Sequence, residues 1–300
     1  EREAMKVGTR ESKLAMRQTE IFQQMMAEKH PDVEVDIIPM KALGDIDLSS
    51  PLSQMSNVGA FVRELDDAML AKKIDASVNS LKDIPTRMAA GLTVAAIFKR
   101  DSPEDIILPR PLEDLPKGAK VGTSSVRRQR LIHSIRPDLE VVQLRGNIHT
   151  RLSKLDAGEY DAILLAKAGL ERMGIDRPMH TLDKKVFIPA PGQGTIAVEC
   201  RSDDRGTIEL LKDLDDEDTR IAVTVERDIM RIMGAGCSAP VGINAEIRED
   251  TVKGRRITVR AISFDYTPEP RKAEVELGLD YTEEQLKAIA DYLLGKREEI

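Results

Sequence analysis

The sequence predicts an α/β chain that closes with a small α+β domain. Three observations carry this. Apolar runs rich in β-branched residues alternate with helical patterns through the first two thirds of the chain. From about residue 240 the alternation gives way to consecutive strands separated by turn chemistry. An amphipathic helix with its own start signal ends the chain.

Taken in order, a helix is expected near 12–28, followed by a strand over "VEVDIIPM" (33–40) and a helix near 61–71. Strands over "IDASV" (74–78) and "LTVAAIF" (92–98) come next. The Pro-rich, polar stretch 98–118 reads as a crossover between two α/β domains. Beyond it lie strands over "KVGTS" (120–124), "LEVVQLR" (139–145) and "DAILLA" (161–166), with helices near 125–135, 147–157 and 168–173. The strand "TIAVEC" (195–200) is followed by the acidic stretch 201–220, read as a solvated helix and connection. Strand and helix in alternation imply mainly parallel sheets. "VGINAEIRE", "RRITVRAISFD" and "KAEVELGLD" read as an antiparallel meander. Thr282 then opens a capping box with Gln285, and Leu286, Ile289, Ala290, Leu293 and Leu294 form one apolar face. The expected domains are 1–97 with 194–216, 98–193, and a C-terminal domain over 217–300.

The chain has 300 residues and a net charge of −7, which opposes general binding to polyanions. The charge is uneven, however. Lys120, Arg127, Arg128, Arg130, Arg136, Arg145, Arg151 and Lys154 face only Asp138 and Glu140 within their stretch. A basic island in an acidic chain suggests a confined anionic ligand rather than a long nucleic acid. Aromatic content of 3%, with no Trp, removes the stacking surfaces that bases need. Cys200 and Cys237 cannot form a disulfide framework and fit a reducing, cytoplasmic setting. No signal-like stretch or membrane-spanning run is evident, and the four histidines have no metal-ligand spacing, so neither membrane nor metal is expected.

In "GTSSVRRQR" (122–130) a strand ends at a glycine, three hydroxyl residues follow, and Arg127 and Arg128 enter the first turn of a helix. Unpaired N–H groups and Thr123, Ser124 and Ser125 offer donors for an anion. Cations in a first turn oppose the helix dipole unless an anion sits there. An N-cap serine beside surface arginines accounts for the same residues. "LRGN" (144–147) repeats the arrangement with Arg145, Gly146 and, one turn on, Arg151; "TRESKLAMRQ" (9–18) does so with Arg10, Ser12 and Gln18. Such turns line the ligand crevice in open α/β sheets. Arginine suits carboxylates, because its fork donates two parallel hydrogen bonds. "NSLKDIP" (79–85) sets Lys82 beside Asp83, either a surface ion pair or a carboxylate, expected to stay ionised, that stabilises a developing cation. Cys237, in the small-residue run "MGAGCSAPVG" (233–242), is either a structural thiol or a covalent anchor.

In combination these stretches resemble the porphobilinogen deaminase family. The resemblance rests on "GTRESKLAMRQ" (8–18), "VNSLKDIPT" (78–86), "VGTSSVRRQ" (121–129), 144–174, "PAPGQGTIAVECR" (189–201) and "GAGCSAPVG" (234–242), in the family's order. It implies two domains related to periplasmic-type binding proteins and a third bearing the cysteine. It also implies a dipyrromethane cofactor on Cys237, one per chain, and a transferase that adds four porphobilinogen units with loss of ammonia. Water then releases hydroxymethylbilane. By resemblance Asp83 is the catalytic carboxylate that stabilises cationic azafulvene-like intermediates. The cofactor is held by Lys82, Asp83, Thr123, Ser124, Ser125, Arg127, Arg128, Arg145 and Gly146. Arg10, Ser12, Gln18, Phe61, Arg145 and Arg151 meet the substrate, Arg172 serves elongation, and the chain is a monomer. Two departures stand out. The family's lysine-rich loop reads "LSQMSNVGAF" (52–61), which keeps Phe61 but no lysine, and the usual histidine before "SLKD" is Asn79. The alternative, a non-catalytic two-lobed polycarboxylate-binding protein, explains the arginine turns but leaves Cys237, Asp83 and the third domain without a role.

Overall fold

The computed structural model describes residues 3–40 and 57–300. The chain divides into two compact units, Glu1–Arg100 with Thr195–Arg220, and Asp101–Gly194 with Ile221–Ile300. In chain order, the first stretch holds β1 (Glu3–Arg10), α1 (Lys13–Lys29), β2 (Val33–Met40), α2 (Asn57–Leu70), β3 (Ala76–Ser80) and β4 (Leu92–Ile97). The second holds β5 (Asp105–Leu108), β6 (Lys120–Gly122), α3 (Val126–Ile135), β7 (Glu140–Val142), α4 (Ile148–Asp156), β8 (Ala162–Ala166), α5 (Lys167–Arg172) and β9 (His180–Thr181). Next come β10 (Ile196–Arg201), α6 (Arg205–Lys212) and α7 (Glu217–Met233). The chain ends with β11 (Val241–Asp250), β12 (Gly254–Ser263), β13 (Arg271–Gly278) and α8 (Glu283–Leu293).

The first unit is built on one five-stranded sheet, ordered β2-β1-β3-β10-β4. β1 pairs in parallel with β2 on one side and β3 on the other, because each helix-bearing connection carries the chain back to the same end of the strands. β10 is antiparallel to both β3 and β4. It re-enters after the excursion through the second unit, without a crossover helix to reverse it. The second unit's sheet, β7-β6-β8-β5-β9, is likewise parallel around β6 and antiparallel at β5. The expectation of mainly parallel sheets therefore gives way to two mixed ones.

Alternation along the strands explains the packing. Ile196, Val198 and Cys200 of β10 join Met5, Val7, Ala76 and Val78 in a core closed by Phe22 and Met26 of α1. Pro39, which cannot donate to a ladder, sits on the edge strand β2.

Four elements escape the sequence reading. β1 carries Lys6, Thr9 and Arg10 among its apolar residues, which blurs its period. β5 is a short buried run inside the stretch read as a crossover. β9 has only two residues. The acidic stretch 201–220 holds the expected helix and connection, but the helix is not simply solvated. α6 buries Leu211, the following turn buries Leu214, and α7 begins at Glu217.

The C-terminal part has its own antiparallel sheet, β11-β12-β13, and its own core, in which Val225, Ile229 and Met233 of α7 meet Ile243, Val259, Leu286 and Leu293. The expected capping box at Thr282 and Gln285 is present in both directions. Ile262 and Phe264 reach into the core beneath β6 and α3, and the Ile243 N–H donates to the Pro189 carbonyl at 2.9 Å.

Candidate functional site

In the first unit, β1 ends at Arg10 and the chain turns directly into α1. Ser12 is the N-cap, its Oγ accepting from the Ala15 N–H at 3.3 Å. Gln18 lies two turns on, buried, and its Oε1 accepts from Ser80 Oγ at 3.3 Å. That bond joins the start of α1 to the end of β3, where a short turn over Leu81–Asp83 follows. Together these termini form a pocket with Arg10, Ser12, Gln18, Asn79, Ser80 and Asp83 as its polar lining. Leu14, Ala15, Val62 and Val78 supply an apolar wall.

At Asp83 burial, rather than the neighbouring cations, decides the direction in which the carboxyl shifts. Its pKa is raised, because burial outweighs the opposing pull of Lys82 and then Arg10. The carboxylate is thus a poorly solvated charge whose stabilising power is directed at whatever cation approaches it. Phe61 falls within α2, but its side chain lies outside the described residues, as do residues 52–56 of the loop without lysine.

In the second unit the three hydroxyls after β6 are committed to the fold. Thr123 Oγ1 accepts from the Ser125 N–H at 3.2 Å, and Ser125 Oγ caps α3 by accepting from the Arg128 N–H at 3.2 Å. Ser124 Oγ donates to the Leu144 carbonyl at 2.7 Å and accepts from the Leu144 N–H at 3.1 Å, which locks the first arginine turn to the second.

Arg127 and Arg128 are not surface residues. Both are buried, and both meet the fully buried carboxylate of Asp105 at the head of β5. Asp105 is the anion that offsets the conflict between these cations and the dipole of α3. Burial alone would raise its pKa, but the two guanidiniums hold it well below the usual carboxylate range. Burial lowers Arg128 in turn, with Asp105 partly opposing. Sequence reasoning missed Asp105, whose only signal was an acid heading an apolar run, "DIIL", between prolines.

At the second turn Asn147 caps α4. Gly146 has φ +110°, and a Cβ there would meet Thr150 Cγ2 at 2.7 Å, so both conformation and space require glycine. Arg151 Nε donates to the Gly146 carbonyl at 2.8 Å. Its pKa falls to about 10, mainly through burial and then through repulsion from Arg128. Among the described residues no acid lies in ion-pair range of Arg151. Arg145 is exposed and reaches Gln143. Arg172 donates to Asp101 and to the Gly194 carbonyl.

Cys237 is exposed and in no disulfide, whereas Cys200 is fully buried, with its thiol pushed up to about 12 by burial. Gly234, at φ +69°, ends α7 in a left-handed turn. A Cβ at Gly234 or Gly236 would meet nothing within 4 Å among the described residues, so the chain on either side of Cys237 is open. An exposed thiol flanked by such open positions has room for a covalent group. Among the described residues no cluster of three or more His, Cys, Asp or Glu could hold a metal ion, and no helix is long and apolar enough to cross a membrane.

Residues 5–209 match the family model described as porphobilinogen deaminase, dipyromethane cofactor binding domain. The chain is 43% identical over 252 residues to the porphobilinogen deaminase of Syntrophobacter fumaroxidans, spanning 83% of this chain and 82% of that one. It is 39% identical over 289 residues to the porphobilinogen deaminase of Desulforamulus reducens, spanning 92% of both. Among solved structures, an ancestral cationic amino acid solute binding protein is similar at a TM-score of 0.45 and 11% identity, over 71% of this chain and 88% of that one.

Proposed function

The chain belongs to the porphobilinogen deaminase family, and from that premise we propose how its own residues divide the work. The activity is that of a transferase, hydroxymethylbilane synthase, which joins four porphobilinogen units with release of ammonia and frees the linear product by hydrolysis. Its cofactor is dipyrromethane, which when bound supplies the free pyrrole carbon from which the chain grows. Cys237 holds it as a thioether. The observation that carries this assignment is the contrast between an exposed thiol in an open turn and a second thiol sealed in the core.

Arg128, Arg145 and Arg151 bind pyrrole acetates and propionates, helped by the N–H groups at the starts of α3 and α4. Thr123, Ser124 and Ser125 shape that cradle through their hydrogen bonds, and Gly146 keeps its turn open. Arg10, Ser12 and Gln18 hold the incoming porphobilinogen, with Lys82 engaging its carboxylates. Loss of ammonia from the aminomethyl carbon leaves a cation spread over the substrate pyrrole. Asp83 stabilises that charge, and again the charge that forms as the new carbon–carbon bond is made. The protein works as a cytoplasmic monomer on a small molecule, organised as three domains. Net acidity and two cysteines in no disulfide support that setting.

A binding protein of the same fold has no use for Cys237. Ehrlich's aldehyde separates the two readings. Protein purified from cells that make porphobilinogen should colour with the reagent and convert porphobilinogen to hydroxymethylbilane; colourless, inactive protein would refute the assignment.

A further inference from the structure

The arginine pair at the start of α3 is not symmetrical. Arg127 donates from Nη1 to Asp105 Oδ2 at 2.7 Å and to the Ile188 carbonyl at 2.9 Å. Its Nη2 donates to Asp105 Oδ1 at 3.1 Å and to Gln193 Oε1 at 3.4 Å. The terminal N–H groups of that guanidinium are thereby all engaged inside the protein. Arg128 reaches Asp105 only through Nε, at 2.9 Å, and Nη2, at 2.8 Å, both on Oδ1. Its Nη1 has no acceptor among the described residues.

Gln193 completes the arrangement. Its Nε2 donates to Asp105 Oδ1 at 3.1 Å and to the Pro103 carbonyl at 2.8 Å. The turn carrying Gln193 is itself pinned, since the Gly192 N–H donates to Glu226 of α7 at 2.7 Å. One carboxylate thus stands among the guanidiniums of Arg127, Arg128 and, beyond Arg128, Arg151. The excess is positive, and it lies on the Arg128 side.

We propose that Asp105, braced by Gln193, is the positioning carboxylate of this anion site: it locks Arg127 into the fold and aims Arg128, with Arg151, at a ligand carboxylate. This rests on the reading of the second unit as the holder of pyrrole carboxylates. It divides two arginines that sequence treats as equivalent. Arg127 is a brace, whereas Arg128 is the ligand's partner. Asp105 and Gln193 act through Arg128 and touch no substrate.

The test uses the full chain made without cofactor, with porphobilinogen as the probe and intact mass as the measure of covalent loading. Half-saturating porphobilinogen and the limiting loaded fraction are read separately. For Asp105→Asn the half-saturating concentration should rise about tenfold, as expected on losing a hydrogen bond to a charged group, with the limiting fraction unchanged. Gln193→Leu, which keeps every charge, should shift it in the same direction. A merely structural lesion would lower the limiting fraction and leave half-saturation in place, and that result overturns the proposal. Should Asp105→Asn fail to fold by circular dichroism, Gln193→Leu decides alone, because native half-saturation in that variant equally overturns it. Absence of any mass gain in the unmodified chain would instead defeat the functional reading itself.

Discussion

Arg172 on α5 donates from Nη2 to Asp101 Oδ2 at 2.9 Å, and the same nitrogen reaches the Gly194 carbonyl at 2.9 Å. The Asp101 N–H donates to that carbonyl as well, at 2.9 Å. Asp101 and Gly194 are the first and last residues of the first of the two stretches that make up the second unit. Arg172 therefore ties the two ends of that stretch together. Its side chain is only 7% exposed, and burial lowers its pKa against the pull of Asp101.

A role in elongation then has a physical basis other than direct contact with a carboxylate. Arg172→Leu should load dipyrromethane, since the residues around Asp105 are untouched, yet accumulate early enzyme-bound intermediates in mass spectra. Asp101→Asn should accumulate the same species to a lesser degree. If Asp101→Asn behaves as the unmodified chain, Arg172 does not work through this tie.

The two thiols should differ chemically as they differ in burial. Protein made without cofactor should take up iodoacetamide at Cys237 and not at Cys200, whose thiol remains protonated far above neutral pH. In cells that make porphobilinogen, Cys237→Ala should lack the mass excess of two linked pyrrole units, and Cys200→Ala should keep it. Peptide mapping decides both.

Glu226 makes a stability prediction. It is fully buried on α7, and its oxygens accept from the Gly192 and Ala245 N–H groups, each at 2.7 Å. Glu226→Ala leaves two buried donors unsatisfied, a cost of about 1–3 kcal/mol each. Glu226→Gln keeps one acceptor and should lose roughly half as much. Urea unfolding measures both, and equal midpoints for the two variants would mean the carboxylate is not the anchor of that turn.

Much of this was legible in the sequence. An N-cap serine ahead of α3 and the capping box at Thr282 were readable because capping chemistry is local, and Ser125 and Thr282 cap as their types predict. The strand-to-helix turns bearing arginine were legible for the same reason. What stayed hidden is long-range. Asp105 meets Arg127 across 22 positions and Gln193 across 88, and no spacing rule connects them. The direction of the Asp83 shift was also hidden, because sequence counts neighbouring charges but not the water removed around them. β10 looks like any buried strand, and only the path of the chain makes it antiparallel.

Asp83 gives the sharpest test, because its electrostatics make opposite demands on stability and rate. Its pKa in the folded protein is raised, so the folded state binds the proton more tightly than the unfolded chain. The associated stability is fully present below the ordinary carboxylate pKa and is lost as pH rises through the raised value. At neutral pH the ionised carboxylate is thus a burden on the fold. Asp83→Asn should raise the thermal midpoint at pH 7, with the gain shrinking as pH falls toward the ordinary carboxylate range. Activity should move the other way. Removing a preorganised charge aimed at a developing cation costs on the order of 10²–10³ in rate. Asp83→Glu keeps the charge at a shifted position and should retain measurable turnover. The acid limb of the pH–rate profile should lie above the pH of an ordinary aspartate, because catalysis needs the ionised form that burial disfavours. Tetrapyrrole formation by cofactor-loaded protein, followed across pH beside thermal unfolding, reads both demands. A variant Asp83→Asn that is less stable at pH 7 and turns over near the native rate would remove Asp83 from the mechanism and leave Lys82 as the next candidate.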